Sequence, residues 1–162
     1  HYQQNRYKEA SDSLEYSAQL IRQKRAEFLQ PLLPEPLDGW TGEEPKSEAI
    51  AASMFGGGVT AERRYTSEES SILVKFVADS PIVQSFLMLF TNPTFAAASG
   101  GKLERINNQK AIVEYDEAQK EGKVTVIVGN NIVVTVEGSA VKKDDIVELT
   151  KKIDFEKLSS FQ

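Results

Sequence analysis

The sequence predicts an α+β fold: a mainly antiparallel sheet of about six strands packed with helices and preceded by a long N-terminal helix. Three observations carry this. Residues 1–30 contain neither Gly nor Pro, which leaves a long helix uninterrupted. Between Lys102 and Glu137, four β-rich runs follow one another, separated by Asn107-Asn108, a charged stretch and Gly129-Asn130-Asn131. The chain then closes on an amphipathic segment, Lys142 to Lys152, with Ile146, Leu149 and Ile153 on one face and Asp144 and Asp145 in the first turn. Successive hairpins make a sheet antiparallel, and helices before, within and after it make layers.

Taken in order, the first element is the helix. Tyr7, Leu14, Ile21 and Phe28 recur every seventh residue, with Ala10 and Ala18 near the same stripe. Such a stripe docks on its own domain or seams against a second helix, which would make an oligomer, and Lys24 interrupts the second row of a coiled-coil seam. Docking on its own domain is the simpler expectation. Arg22, Lys24 and Arg25 read as the helix's solvated face, with contact to anionic lipid as the alternative.

Pro31, Pro34 and Pro36 end the helix and prescribe an extended connector. Its Leu32, Leu33, Leu37 and Trp40 are too apolar for a free linker, so they should close an edge of the core, with Trp40 a ligand anchor in the alternative. The chain thus divides into a helix (1–30), a Pro-rich connector (31–45) and an α+β domain (46–162).

Within the domain, Ser47 to Phe55 fits a short helix or an irregular strand. Gly56-Gly57-Gly58 follows. It lacks the Lys-Ser/Thr of a phosphate loop and precedes a strand rather than a helix, so it points to a sharp turn or a close backbone approach. Val59 to Thr66 and Ile72 to Ala78 read as strands. Along the first, Arg63 and Arg64 must point to opposite sides. One uncovered there could hold a carboxylate or phosphate, and one covered would pair structurally. Asp79-Ser80-Pro81 reads as a helix start, and the helix to Phe90 is apolar almost all round, with Phe86, Leu87 and Phe90 among its bulky residues. It must be buried, inserted into a partner or set beside a greasy pocket. Phe95 to Gly101 reads as a loop of small residues. Phe155, Leu158 and Phe161 would pin the tail.

Composition removes whole classes of chemistry. There are no cysteines, and the one histidine is His1, so thiol chemistry, His-based metal clusters and Ser-His-Asp catalysis are absent from the reading; no cofactor is expected. A net charge of -5 disfavours nucleic-acid binding. No apolar run approaches the roughly 18 residues of a membrane span. The opening at His1 is abrupt, so a signal or anchor removed ahead of it is an expectation. Glu104 and Glu114, if neighbours across a hairpin, would be the carboxylates of a hydrolase.

The series Leu32-Leu33-Pro34, Asp38-Gly39-Trp40, Met54-Phe55-Gly56-Gly57-Gly58, Arg63-Arg64-Tyr65-Thr66, Ala78-Asp79-Ser80-Pro81 and Val134-Thr135-Val136-Glu137-Gly138 resembles a group of small uncharacterised exported bacterial proteins. That resemblance spans Leu32 to Leu158 and implies a periplasmic location. In outline, the strands closed by Ile153-Asp154-Phe155 are also similar to the PsbP and DcrB type of sandwich, which implies an accessory or binding role. The resulting expectation is a non-catalytic periplasmic binding or accessory module for a partner protein or an apolar ligand. The alternatives are self-assembly through the N-terminal helix and a carboxylate-dependent hydrolase.

Overall fold

The computed structural model describes residues 2–51, 54 and 56–161. Helix α1 (Tyr2–Leu29) leads through a short 3-10 turn into the connector. Then come β1 (Thr41–Gly42), β2 (Lys46–Ile50), β3 (Gly58–Ser67) and β4 (Ser70–Ala78), followed by α2 (Ile82–Thr91) and α3 (Pro93–Ala98). The chain ends with β5 (Lys102–Ile106), β6 (Gln109–Asp116), β7 (Glu121–Val128), β8 (Ile132–Ser139), α4 (Lys143–Lys151) and α5 (Phe155–Ser159).

The α+β class holds, with eight strands rather than six in one antiparallel sheet of order β1-β3-β4-β8-β7-β6-β5. The two additional strands are β1, inside the expected connector, and β2, both laid along the same edge of β3. Ser47 to Ile50 is therefore strand, whereas Ala52, Ser53 and Phe55 lie outside the described residues. The tight turns have the backbone their residues foretold: Asn107 and Asn108 take φ 48 and 65, which asparagine tolerates better than branched residues do.

Alternation decides the two faces. One face carries Val59, Ala61 and Tyr65 of β3, Ile72, Val74 and Phe76 of β4, Val124, Val126 and Val128 of β7, and Val134 and Val136 of β8, all buried. Over it lie the last turns of α1 (Ala26, Leu29), α4 (Ile146, Leu149), α5 (Phe155, Leu158) and Phe161. Gly122 and Gly138 oppose each other in register, and a Cβ on either would stand 2.9 Å from Ile146, so their lack of side chains lets α4 lie close. The second face is covered only in part. Strand β4 sits mid-sheet and β5 at the far edge, so the chain crosses this face as α2 and α3; Val83 and Ala96 of the helices and Ile112 and Val133 of the sheet are buried there.

Three expectations need correction. Only the C-terminal end of α1 docks; Tyr7, Leu14, Ile21 and Phe28 are 75%, 72%, 61% and 58% exposed. The stripe is continuous in sequence, but the globular core meets only the last turns of a projecting helix. The Phe95 to Gly101 stretch is not all loop, because Pro93 opens α3 and Asn92 caps it, its side chain accepting from the Thr94 N–H at 3.1 Å. The Asp79-Ser80 pair caps nothing with its side chains; Asp79 instead binds Arg25 of α1. Among the described residues, no helix is long and apolar enough to cross a membrane.

Candidate functional site

Local packing at the β2–β3 turn prepares a groove on the second face. Gly58 has φ 120, and a Cβ there would fall 2.8 Å from both the Ala78 carbonyl and Ser80 Cβ. Gly56 likewise faces Pro81 at 2.6 Å. The glycine run is thus a close backbone approach, which seats the β4–α2 junction against β3. Beside it, Glu48, Thr60 and Val77 are consecutive cross-strand partners and form the floor of a groove of about 450 Å³. Ile50, Met54 and Ile82 make its walls apolar, and Lys75 stands at its margin, 3.8 Å from Glu62.

Ser80 lines this groove. The residue is 6% exposed, and its hydroxyl is buried without a hydrogen-bond partner among the described residues. Leaving such a group unpaired costs about 1–3 kcal/mol. Its backbone is satisfied, since the Ser80 carbonyl accepts from the Val83 N–H at 3.0 Å. The unpaired hydroxyl is a donor and acceptor held in an apolar wall.

A second groove, of about 600 Å³, opens at the other end of the same face. Its floor is one transverse row of directly opposed residues, Arg64, Leu73, Glu137, Lys123 and Glu114. Lys123 and Glu137 neutralise each other at 3.2 Å. Arg64 is exposed and makes no side-chain hydrogen bond or ion pair among the described residues. Asp116 and Glu121 are like charges in direct register, which leaves that end acidic. A third cleft, apolar, runs between α1 and the tail, where Phe28 stacks on Phe161 at 5.9 Å beside Leu20 and Ile21.

The sequence-predicted residues scatter. Phe86, Leu87 and Phe90 lie half-buried on α2, so the apolar helix is neither enclosed nor fully free. Trp40 packs, half-buried, against the main core. The two arginines diverge as alternation requires. Arg63 clamps the connector, donating to the carbonyls of Glu43 at 2.8 Å and Pro34 at 3.3 Å, with the Glu35 carboxylate at 3.8 Å. Tyr65 also donates to Pro34, and burial pushes its phenol well above the usual tyrosine range. Glu104 pairs with Lys143 at 3.2 Å on the helix-covered face, whereas Glu114 lines the groove on the other. These two carboxylates share no cleft, because Glu104 sits opposite Ala111 rather than Glu114.

Comparison with protein-family models, curated proteins and solved structures returned no match. Ser80 is the residue that sequence reasoning missed. Its only signal was proximity to Pro81, and the lack of a partner depends on neighbours brought in from β2 and β3.

Proposed function

We propose that this chain is a non-catalytic periplasmic binding module whose Ser80 groove takes an apolar small molecule carrying one hydrogen-bonding group. The buried Ser80 hydroxyl, unpaired among the described residues and set in a mostly apolar groove, carries the reading. Ligand pockets of this kind are mostly apolar, with few polar groups that fix orientation. A groove of about 450 Å³ suits a small molecule better than a protein element. The periplasmic location rests on the resemblance to exported proteins.

Native mass spectrometry of protein isolated from its own host without denaturation tests it directly. Added mass of a few hundred daltons per chain is the expected result. Val77→Trp, which fills the groove floor, should abolish that mass while leaving the thermal transition within a few degrees. Clean protomer masses, together with no saturable uptake of anilinonaphthalene sulfonate, would overturn the proposal.

A second reading, self-assembly through α1, is favoured by one observation: its heptad stripe is exposed. Leu14→Glu with Ile21→Glu should then convert an oligomer to a monomer in light scattering. These residues lie outside the buried core, so folding would persist. A monomeric wild type removes this reading and leaves the Ser80 groove untouched.

A further inference from the structure

The α2–α3 crossover has a composition unlike the rest of the chain. From Ser80 to Gly101 there is no charged residue, although charged residues make up 27% of the sequence. Only Val83 and Ala96 of the two helices are buried; Met88 and Phe95 are 63% and 51% exposed. Leu103 on the adjoining edge strand is 45% exposed on the same side of the sheet. Apolar surface gathered this way is unusual on a free protein.

The charges around it have a definite sign. Arg105 and Lys110 are direct cross-strand partners on β5 and β6, two like charges face to face. That arrangement is destabilising unless a countercharge meets it. Both are exposed, and neither meets a carboxylate among the described residues. Glu104, the acid between Leu103 and Arg105, points to the opposite face and is held by Lys143. Glu48 and Glu62 of this face lie across the sheet on β2 and β3, and the nearest acid along β6 from Lys110 is Glu114 in the charged groove. Four strand positions separate Lys110 from Glu114, roughly 13 Å, beyond the screening length of about 8 Å at physiological salt.

An uncharged apolar crossover beside two unpaired cations is complementary to an anionic lipid surface. We propose that the α2–α3 face docks on such a bilayer, with Met88, Phe95 and Leu103 entering the interfacial layer and Arg105 and Lys110 meeting lipid phosphates. A protein partner fits less well, because three of the crossover's polar side chains are already used internally. Thr91 donates to Met88, Ser99 donates to Ala96, and Asn92 caps α3. This inference uses different residues from the Ser80 groove and does not depend on it.

Co-sedimentation of the full chain with vesicles tests it. One set is phosphatidylglycerol and phosphatidylcholine in equal parts, and the other is pure phosphatidylcholine. The protein should pellet with the anionic vesicles and release as salt rises. Each cation near the surface contributes about fivefold in affinity, so Arg105→Gln with Lys110→Gln should weaken binding roughly thirtyfold. Met88→Ser with Phe95→Ser should abolish it; all four side chains are exposed, so the thermal transition should hold. Val77→Trp should bind vesicles like wild type, which separates this proposal from the ligand groove. A wild type that stays in the supernatant with both vesicle sets, as a protein-docking face would, overturns the proposal. Equal binding by the Arg105/Lys110 double variant also overturns it.

Discussion

Arg25 and Asp79, 54 residues apart in sequence, are joined by two contacts to one carboxylate oxygen, Nε at 2.8 Å and Nη2 at 2.7 Å. The same guanidinium lies 4.3 Å above the Phe161 ring. One cation therefore ties the end of α1, the β4–α2 junction and the C-terminal tail. Asp79 takes φ 56, a left-handed conformation that Asp and Asn tolerate better than branched residues. Its own N–H donates to the Asn131 carbonyl at 3.1 Å, which fixes the junction from the sheet side as well.

Asp79→Asn keeps the tolerance for positive φ and removes the charge. The pair is about a third exposed, so solvent screens it and the loss should be near 1 kcal/mol. Urea denaturation should show a lower midpoint with an unchanged slope. An unaltered midpoint would mean that the pair is ornamental and that α1 is held by Ala26, Leu29 and its contacts with Phe161.

Tyr65 gives a pH prediction with a defined sign. Burial raises its folded pKa above the unfolded value of about 10. Below that pH both states hold the proton, and the stabilisation is fully present. As pH rises further, the unfolded phenol ionises first, so stability falls until the folded pKa is passed. Tyr65→Phe should cost about 1 kcal/mol at neutral pH through the lost bond to Pro34. The gap between wild type and variant should then shrink as pH rises above 10 in denaturant titrations. A gap that stays constant would place the phenol in contact with water.

Much of this architecture was legible because local rules and tertiary structure agree. Val124, Val126 and Val128 alternate in the sequence and face the core in the sheet. Arg63 and Arg64 had to diverge, and they do. The failures arise where burial depends on distant neighbours. Strand β2 has no apolar alternation because Lys46 to Ile50 forms an edge with only partial cover. The α1 stripe resembles a docking face, yet the core is too short to receive more than its end. Helix α2 is apolar enough for a buried helix, but the second face offers only Ile112, Thr125 and Val133 as buried ground. Ser80 was illegible for the same reason: one serine beside a proline carries no mark of the hydroxyl's isolation.

That isolation yields the most discriminating expectation. Ser80→Ala deletes a buried group that has no partner among the described residues, so the unfolding free energy should rise by about 1 kcal/mol. The same change removes a buried polar anchor of the groove, so affinity for its ligand should fall about five- to tenfold. The two effects have opposite signs, as they must when a protein carries an unsatisfied group for use in binding. Thermal unfolding without ligand measures the first, and titration with anilinonaphthalene sulfonate measures the second. If stability falls, the hydroxyl is satisfied in solution and was never available to a ligand. If stability rises while dye affinity holds, the groove binds through apolar contact alone, and Ile50, Val77 and Ile82 become the residues that define its specificity.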